Sequence, residues 1–501
     1  MKRKRKIMLC GVMVLVMALV MAMPMSVSAV VDANDTVRIG NEGYATLADA
    51  VASIQEGETA EITLLKSVTN NSKININSGK NITIDLNGND IGFSRNQQFN
   101  VEGGTLTLSG TGTVYEQEPY YAPIMMFGAA SDMADYSVVN VGKNVTLKGW
   151  AGLFIDQNNK SDYGIVANVY GNLNSVKDIT GAGGHALYVN GSIKATEGNV
   201  PKITLDGAIL NTEDGNGMYL AGYTDTVINN STITSNSEGS TGIEIRAGKL
   251  EIVNSIISGG MGEPTLIPNG NGSTTGNTAL SVAQHTTKLP IEVTIIGGSF
   301  NGGDAFSQQN PQGNDEAAIA KISLDIQSGT FNGRVYSENK AAFISSGTFS
   351  DAVNANYIKD GLVEIQFGSK ASTLYYIGTE EQINTIVEDA VSGDHIKVLQ
   401  GDVALSIMAG GVEVSNNGGG QVTVNQMEVA ADNPIITEEQ ITPEQPEVPA
   451  TTPADETTAA SSDKAVATGD DFNMTALLAI MGIAAAAAAG TVVYGRRKRS
   501  N

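Results

Sequence analysis

Apolar and polar positions along this chain repeat in a six-residue template. It occurs as Leu205-Asp-Gly-Ala-Ile-Leu210, Ile228-Asn-Asn-Ser-Thr-Ile233, Ile252-Val-Asn-Ser-Ile-Ile257, Ile295-Ile-Gly-Gly-Ser-Phe300, Ile326-Gln-Ser-Gly-Thr-Phe331 and Ile344-Ser-Ser-Gly-Thr-Phe349. Each copy opens on an aliphatic residue, has small or turn-forming residues third and fourth, and closes on a large apolar side chain. Successive copies start 23, 24, 43, 31 and 18 residues apart. Periods of roughly 20 to 45 residues mark solenoids, whose units bury their apolar faces only against their neighbours.

Strict alternation predicts further strands at Ile74-Asn-Ile76, Ile82-Thr-Ile-Asp-Leu86, Leu106-Thr-Leu108 and Val138 to Leu147. Leu86 to Ile91 is a looser copy of the template, and Asn87-Gly88, Gly103-Gly104 and Gly110 supply corners. Ala186-Leu-Tyr-Val189, Met218-Tyr-Leu220, Ile243-Glu-Ile245 and Leu280-Ser-Val282 precede the template in the middle turns, so each turn has two or more strands. Strands that stack without hairpins are parallel, and parallel connections are right-handed. The predicted fold is all-β: a right-handed parallel β-helix of roughly 12 or 13 turns, about 60 Å long at about 4.8 Å per turn. A set of antiparallel sandwiches is the competing arrangement, but two-residue hairpin signals are few.

Two stretches have helical period. Leu47, Ala50, Val51 and Ile54 share one face, with Thr46 as N-cap and Asp49 three residues on, and a helix here would cover the open end of the coil. Ile383, Ile386, Val387 and Ala390 share another, followed by short strands at 396–399, 412–414 and 422–424. The order helix, glycine-containing turn, strand echoes residues 44–66. The coil is therefore assigned to 30–375 with its N-terminal helical cap, and a C-terminal cap or small α/β module to 376–430.

The body resembles the pectin-lyase-like β-helix ectodomains of surface proteins from gut Firmicutes. The likeness rests on Lys80-Asn-Ile-Thr-Ile-Asp-Leu-Asn-Gly88, the Ser-Gly-Thr-Phe copies at 328–331 and 346–349, and Tyr357-Ile-Lys-Asp-Gly361. It is a likeness of pattern over most of residues 36–430, and fold does not fix function.

The ends give an expected address. Residues 1–29 join a basic run, Lys2 to Lys6, to an apolar run ending near Met23, and Val27-Ser28-Ala29 places small residues where signal peptidase cuts, at Val27 and Ala29. Met474 to Tyr494 is an uncharged, Ala-rich stretch, about 30 Å long as a helix, which predicts a C-terminal transmembrane helix. Arg496-Arg-Lys-Arg499 follows and would stay cytoplasmic. With Ala465-Val-Ala-Thr-Gly-Asp470, this order resembles the sorting signal of Gram-positive surface proteins. The resemblance implies that sortase cuts between Thr468 and Gly469 and joins Thr468 to peptidoglycan, leaving 469–501 as the remnant. Ala465-Val466 stand where the usual motif has Leu-Pro. Residues 431–468 are rich in Pro, Thr, Glu and Ala and read as a disordered stalk.

Composition agrees with thin stacked strands: 57 Gly, 13 Pro and only 5% aromatic residues. The single cysteine, Cys10, lies in the segment expected to be removed, so burial and ladder hydrogen bonds must stabilise the mature chain. Net charge is −23, and without the two basic ends and Asp470 and Asp471 the chain carries 21 basic against 51 acidic residues, a net −30. Such a body has no long-range attraction for nucleic acid or anionic lipid. Contact with a membrane is expected only through the C-terminal segment.

Pectin-lyase-like folds include uronate lyases and glycosidases, so the resemblance brings an enzyme into question. Hydrolases of that fold use clustered aspartates with Gly-His-Gly and Arg-x-Lys segments. Here Gly184-His185-Ala186 breaks the first and Arg246-Ala-Gly-Lys249 has the wrong spacing for the second. Arg246 and Lys249 could serve a lyase, but no carboxylate cluster is tied to them in sequence. His185, His285 and His395 have no metal spacing and read as solvated turn residues, and Asp214-Gly-Asn-Gly217 and Asn269-Gly-Asn-Gly272 read as tight corners. No catalytic residue, metal site or cofactor is therefore assigned.

Binding is the favoured class, with aromatic side chains that could stack on sugars: Tyr115, Tyr120, Tyr121 and Trp150. Glu116 to Asp135, containing Met125, Met126, Phe127 and Met133, reads as an irregular insertion on a regular scaffold, where a site is expected. The expected protein is an extracellular, wall-attached adhesin or glycan-binding rod. Its expected partners are sortase, peptidoglycan, and host or dietary glycans or extracellular proteins. A polysaccharide lyase or hydrolase and a passive structural protein are the alternatives.

Overall fold

The computed structural model describes residues 31–440 except 78, 129–135, 157–163, 192–199, 236, 267–274, 370–371 and 432. The signal segment with Val27 and Ala29, most of the stalk, Thr468, Gly469, the 474–494 span, Met133 and the 269–272 corner lie outside these residues. Among the described residues no helix is long and apolar enough to cross a membrane.

The body is mostly β, with a long parallel-strand sheet of the kind that a β-helix or solenoid makes. From Thr59–Leu64 to Thr224–Asn229 each strand bonds to the third strand after it, and below that the long strands Gly248–Ser258, Ile291–Gln309 and Ile322–Ser337 run through corners and carry more than one ladder each, so three ladders run side by side. Among the described residues, strands of the first ladder begin at Thr59, Asn81, Thr105, Ser137, Ile165, Lys202, Thr224, Gly248, Ile291 and Ile322, which makes ten complete turns against the 12 or 13 expected. All these pairings are parallel, which removes the antiparallel sandwich.

The six template copies lie in register. Leu205, Ile228, Ile252, Ile295, Ile326 and Ile344 form one column in the first ladder. Leu210, Ile233, Ile257, Phe300, Phe331 and Phe349 form a second column in the second ladder. All twelve are buried in one core. The first column continues upward through Val169, Val141, Leu108, Ile84 and Ile62. Each side chain therefore rests on one above and one below, and no turn is buried without its neighbours.

Between the two columns the chain turns a corner at the template's third and fourth positions. The third residue is left-handed in four copies, Gly207, Asn230, Asn254 and Gly297, a conformation that only Gly and Asn adopt readily. In the second turn Ile84, not Leu86, holds the column, and the span from Ile84 to Ile91 is eight residues rather than six. Asn87 and Gly88, both with positive φ, absorb the extra length, so the expected copy starting at Leu86 is two residues out of register.

The coil starts and stops with the same device. At the start Val37–Ile39 pairs antiparallel with both Glu42–Tyr44 and Thr59–Leu64, and helix Leu47–Ser53 packs beside them. Thr46 caps that helix as expected, its hydroxyl accepting the Asp49 N–H at 3.1 Å, and Leu47, Ala50, Val51 and Ile54 are buried. At the far end Val363–Gly368 pairs antiparallel with both Thr373–Gly378 and His395–Gln400, and helix Glu380–Val387, closed by a Thr379–Gln382 capping box, follows the same order. Two short parallel pairings then resume, His395–Gln400 with Glu413–Asn416 and Val403–Leu405 with Val422–Val424. This module has its own core, running from Val363 to Val429. It joins the coil where Thr373–Gly378 pairs antiparallel with Gly347–Phe349 and ends the second ladder. Ile435–Ile436 adds a last strand and the Thr437 hydroxyl accepts the Val412 N–H at 3.1 Å, so ordered pairing runs past residue 430.

Candidate functional site

The third ladder differs from the other two in that its outer face is also packed. Its strands include Ala151–Asp156, Gly184–Asn190, Gly215–Leu220, Thr241–Ile245 and Thr278–Ala283. Leu153, Leu187, Met218, Ile243 and Leu280 point into the core, so the next residue of each strand points out. Those outward residues stack in register as Phe154, Tyr188, Tyr219, Glu244 and Ser281.

The upper part of this column is an aromatic cluster. Tyr188 and Tyr219 are nearly parallel, with centroids 5.4 Å apart, and Phe154 lies 4.8 Å from Tyr188. The His185 ring stacks on Tyr188 at 4.9 Å and on Tyr219 at 5.3 Å. Trp150 meets His185 and Tyr188 edge-on at 5.3 and 5.5 Å, and its Nε1 donates to the Gly183 carbonyl at 2.8 Å. Such edge and offset contacts hold rings in fixed geometry. Gly184 is required here, since a Cβ would lie 1.9 Å from the Trp150 carbonyl oxygen.

His185 is thus a strand residue inside a ring cluster, not the solvated turn residue expected from sequence. Burial pulls its pKa down to about 3, so it is neutral at physiological pH and adds an aromatic face rather than a charge. Burial also raises the pKa of Tyr188, with Asp156 adding to the effect, and pushes the Tyr219 hydroxyl further up, helped by the Glu244 charge. His285 does sit in a turn, its Nδ1 within 3.1 Å of the Thr286 hydroxyl, and His395 is an exposed strand residue 3.3 Å from Glu413.

Below the rings the column becomes ionic. Arg246 and Glu244 approach to 3.8 Å with both side chains fully buried. Asn216 Nδ2 donates to Glu244 Oε2 at 3.2 Å, and Arg246 also hydrogen-bonds Tyr219. Arg246 therefore has the carboxylate partner that sequence alone did not reveal. Lys249 stands apart, exposed and paired with Glu292 at 3.2 Å. Asn216, expected in a tight corner, is buried within strand Gly215–Leu220.

Three of the four proposed sugar-stacking residues are tied together by Glu116, which sequence reasoning passed over. Its buried carboxylate accepts the backbone N–H groups of Tyr120 and Tyr121, both at 3.1 Å, and that of Trp150. Burial raises its pKa, while the three donors pull the other way. The Tyr121 carbonyl accepts the Ala151 N–H at 2.6 Å. Tyr120 and Tyr121 meet edge-on at 4.8 Å, and the Arg95 guanidinium lies 4.7 Å above Tyr120. Tyr115 is elsewhere: it faces outward on the second ladder, where its ring covers Gly92. Part of the supposed insertion proves regular, since Ile124–Phe127 is a third-ladder strand paired with Phe99–Glu102 and Ala151–Asp156, with Met125 and Met126 buried.

Comparison with protein-family models, curated proteins and solved structures gives no match.

Proposed function

We propose that the chain is an exported, wall-attached surface protein of Gram-positive type, whose right-handed parallel β-helix body binds glycans without altering them. The observation that carries this reading is the ring cluster in which half-buried Trp150, His185 and Tyr188 are held against buried Tyr219, a pre-positioned aromatic platform on one face of a solenoid. Exposed Tyr121 and the Tyr120–Arg95 pair extend it. The right hand follows from the general rule for parallel crossovers. Attachment through Thr468, with the 474–494 membrane span as its precursor anchor, rests on the tripartite layout of the C-terminal sequence.

The test is a glycan array probed with the full-length protein. Binding that falls on Trp150→Ala and Tyr188→Ala, in variants whose thermal melts match the wild type, supports the reading. Silence on host and plant glycans sinks it. Thr468→Ala should shift the protein from the wall to the membrane fraction or the medium; unchanged release by lysozyme argues against sorting.

A second reading, polysaccharide cleavage, is favoured by one observation: Glu244, Arg246, Tyr219 and Asn216 bring a carboxylate, a guanidinium, a phenol and an amide together beside the rings, all four buried, so that a substrate reaches them only if the surface above opens. Turnover of a polysaccharide that the Glu244→Leu, Arg246→Met double variant abolishes, with its thermal melt unchanged, would decide for it.

A further inference from the structure

The outer face of the second ladder is unlike the rest of this acidic molecule. From Asn172–Ser175 through Ile209–Thr212, Thr232–Ser235, 256–258, 299–301, 330–332 and Gly347–Phe349, its strands contain no charged residue. The chain as a whole carries −23.

Two outward columns run down this face in register. One is Asn174, Asn211, Thr234, Ser258, Asn301 and Asn332. Their side chains also bond along the stack: Asn332 Nδ2 donates to Asn301 Oδ1 at 2.7 Å, and Asn301 Nδ2 to Ser258 Oγ at 3.3 Å. The amides are thereby oriented before any ligand arrives, and each keeps hydrogen-bonding capacity for a partner. The other column is Asn172, Ile209, Thr232, Ile256, Ser299, Thr330 and Thr348, in which Ile209 and Ile256 are 45% and 44% exposed. The face thus presents at least one uncharged amide or hydroxyl at every tier, about every 4.8 Å, with apolar surface beside it at two of them.

We infer that this face binds a neutral polysaccharide, with the glycan chain following the stack and its hydroxyls meeting the Asn, Thr and Ser column. The inference rests on the glycan-binding reading but puts a second contact surface on a different ladder from the ring cluster. Charge selects the ligand: an acidic polymer is repelled by the body as a whole, and a neutral one loses least where the protein is neutral. Repetition selects it too, because a periodic ligand can occupy several tiers at once and gain by avidity. A second copy of the chain fits less well. Seven tiers of short strands cover roughly 30 Å by 12 Å, about 400 Å². A stable protein interface takes about 800 Å² from each partner.

Full-length protein in mild detergent is sedimented with microcrystalline cellulose, insoluble chitin and insoluble mannan, with polygalacturonate as the charged control. Asn211→Asp with Asn301→Asp adds two charges to the face at nearly constant shape, and Asn211→Ser with Asn301→Ser serves as the neutral control. Retention on at least one neutral polymer, cut about tenfold by the aspartates and little by the serines, is expected. Retention lost only on Trp150→Ala overturns the inference and leaves the glycan reading intact. Binding on the array without retention on any neutral polymer does the same. Silence in both assays removes both. If sedimentation velocity shows a dimer that the aspartate pair dissociates, the face is a copy-to-copy contact and the inference is wrong.

Discussion

The hydroxyl of Ser255 accepts the backbone N–H of Ser231, one turn earlier in the stack, at 3.0 Å and donates to its own strand's Val253 carbonyl at 2.8 Å. Ser231 repeats the arrangement, accepting the Ala208 N–H at 3.1 Å and donating to the Asn229 carbonyl at 2.7 Å. Both serines are buried at the fourth template position, where the corner leaves backbone donors out of the ladders. Ser255→Ala strands the Ser231 N–H and should cost about 1–3 kcal/mol, read as a lower midpoint in chemical unfolding. Thr232→Ala, on the surface of the next strand, should stay within about 0.5 kcal/mol.

Phe331 lies between Phe300 and Phe349, with centroids at 5.0 and 5.1 Å and rings almost parallel. Phe331→Ala removes the middle ring of this buried stack, leaves a cavity there and should cost about 3–5 kcal/mol. Because each turn contacts only its neighbours, the loss should be local. Hydrogen exchange should quicken in strands around 291–349 and stay slow across 105–169. Equal loss of protection throughout would mean that the coil unfolds as a single unit.

The columns of the fold were legible because the six copies from Leu205 to Phe349 have the same corner length, so equal spacing meant equal register. The register failed at Leu86, where a longer corner at Asn87 and Gly88 mimics the template two residues late. The outward column was also within reach: Leu187-Tyr-Val, Met218-Tyr-Leu, Ile243-Glu-Ile and Leu280-Ser-Val each hold one residue between two aliphatic or methionine side chains, and stacking them gives Tyr188, Tyr219, Glu244 and Ser281. Glu116 was not, since its partners are backbone N–H groups that carry no side-chain signature. Tyr115 and Tyr120 looked like neighbours in sequence, but alternation around buried Val114 turns Tyr115 out on the second ladder.

Glu244 and Arg246 together test whether the ionic part of the third ladder is needed for stability. Removing one partner leaves the other charge buried, so Glu244→Gln or Arg246→Met should each destabilise by about 3–5 kcal/mol. Glu244→Leu combined with Arg246→Met removes both charges and should recover most of that loss. Recovery of stability with loss of polysaccharide turnover would mark the pair as functional; a double variant no better than the singles would show that the pair's hydrogen bonds to Asn216 and Tyr219 matter more than its charges.

Glu364 and His185 should give opposite pH dependences. Glu364 is buried on the strand that opens the C-terminal module, and burial pushes its pKa up to about 7, against a weaker opposing hydrogen bond from the Val353 N–H. An unfolded chain releases that proton near 4.5, so between about 4.5 and 7 the folded state holds more protons and stability falls as pH rises. His185 works the other way: the unfolded ring gains a proton below 6.5 and the folded ring only near 3, so its stabilising contribution is lost as pH falls through that window. Each slope is at most about 1.4 kcal/mol per pH unit, and between roughly 4.5 and 6.5 the two oppose each other. Glu364→Gln keeps an acceptor for Val353 and removes the buried charge. It should be more stable than wild type above pH 7, by about 2–3 kcal/mol, and indistinguishable from it near pH 4. The measurement is the difference in unfolding free energy between Glu364→Gln and wild type from pH 4 to 8. A difference that does not grow with pH would mean that the Glu364 carboxyl titrates normally.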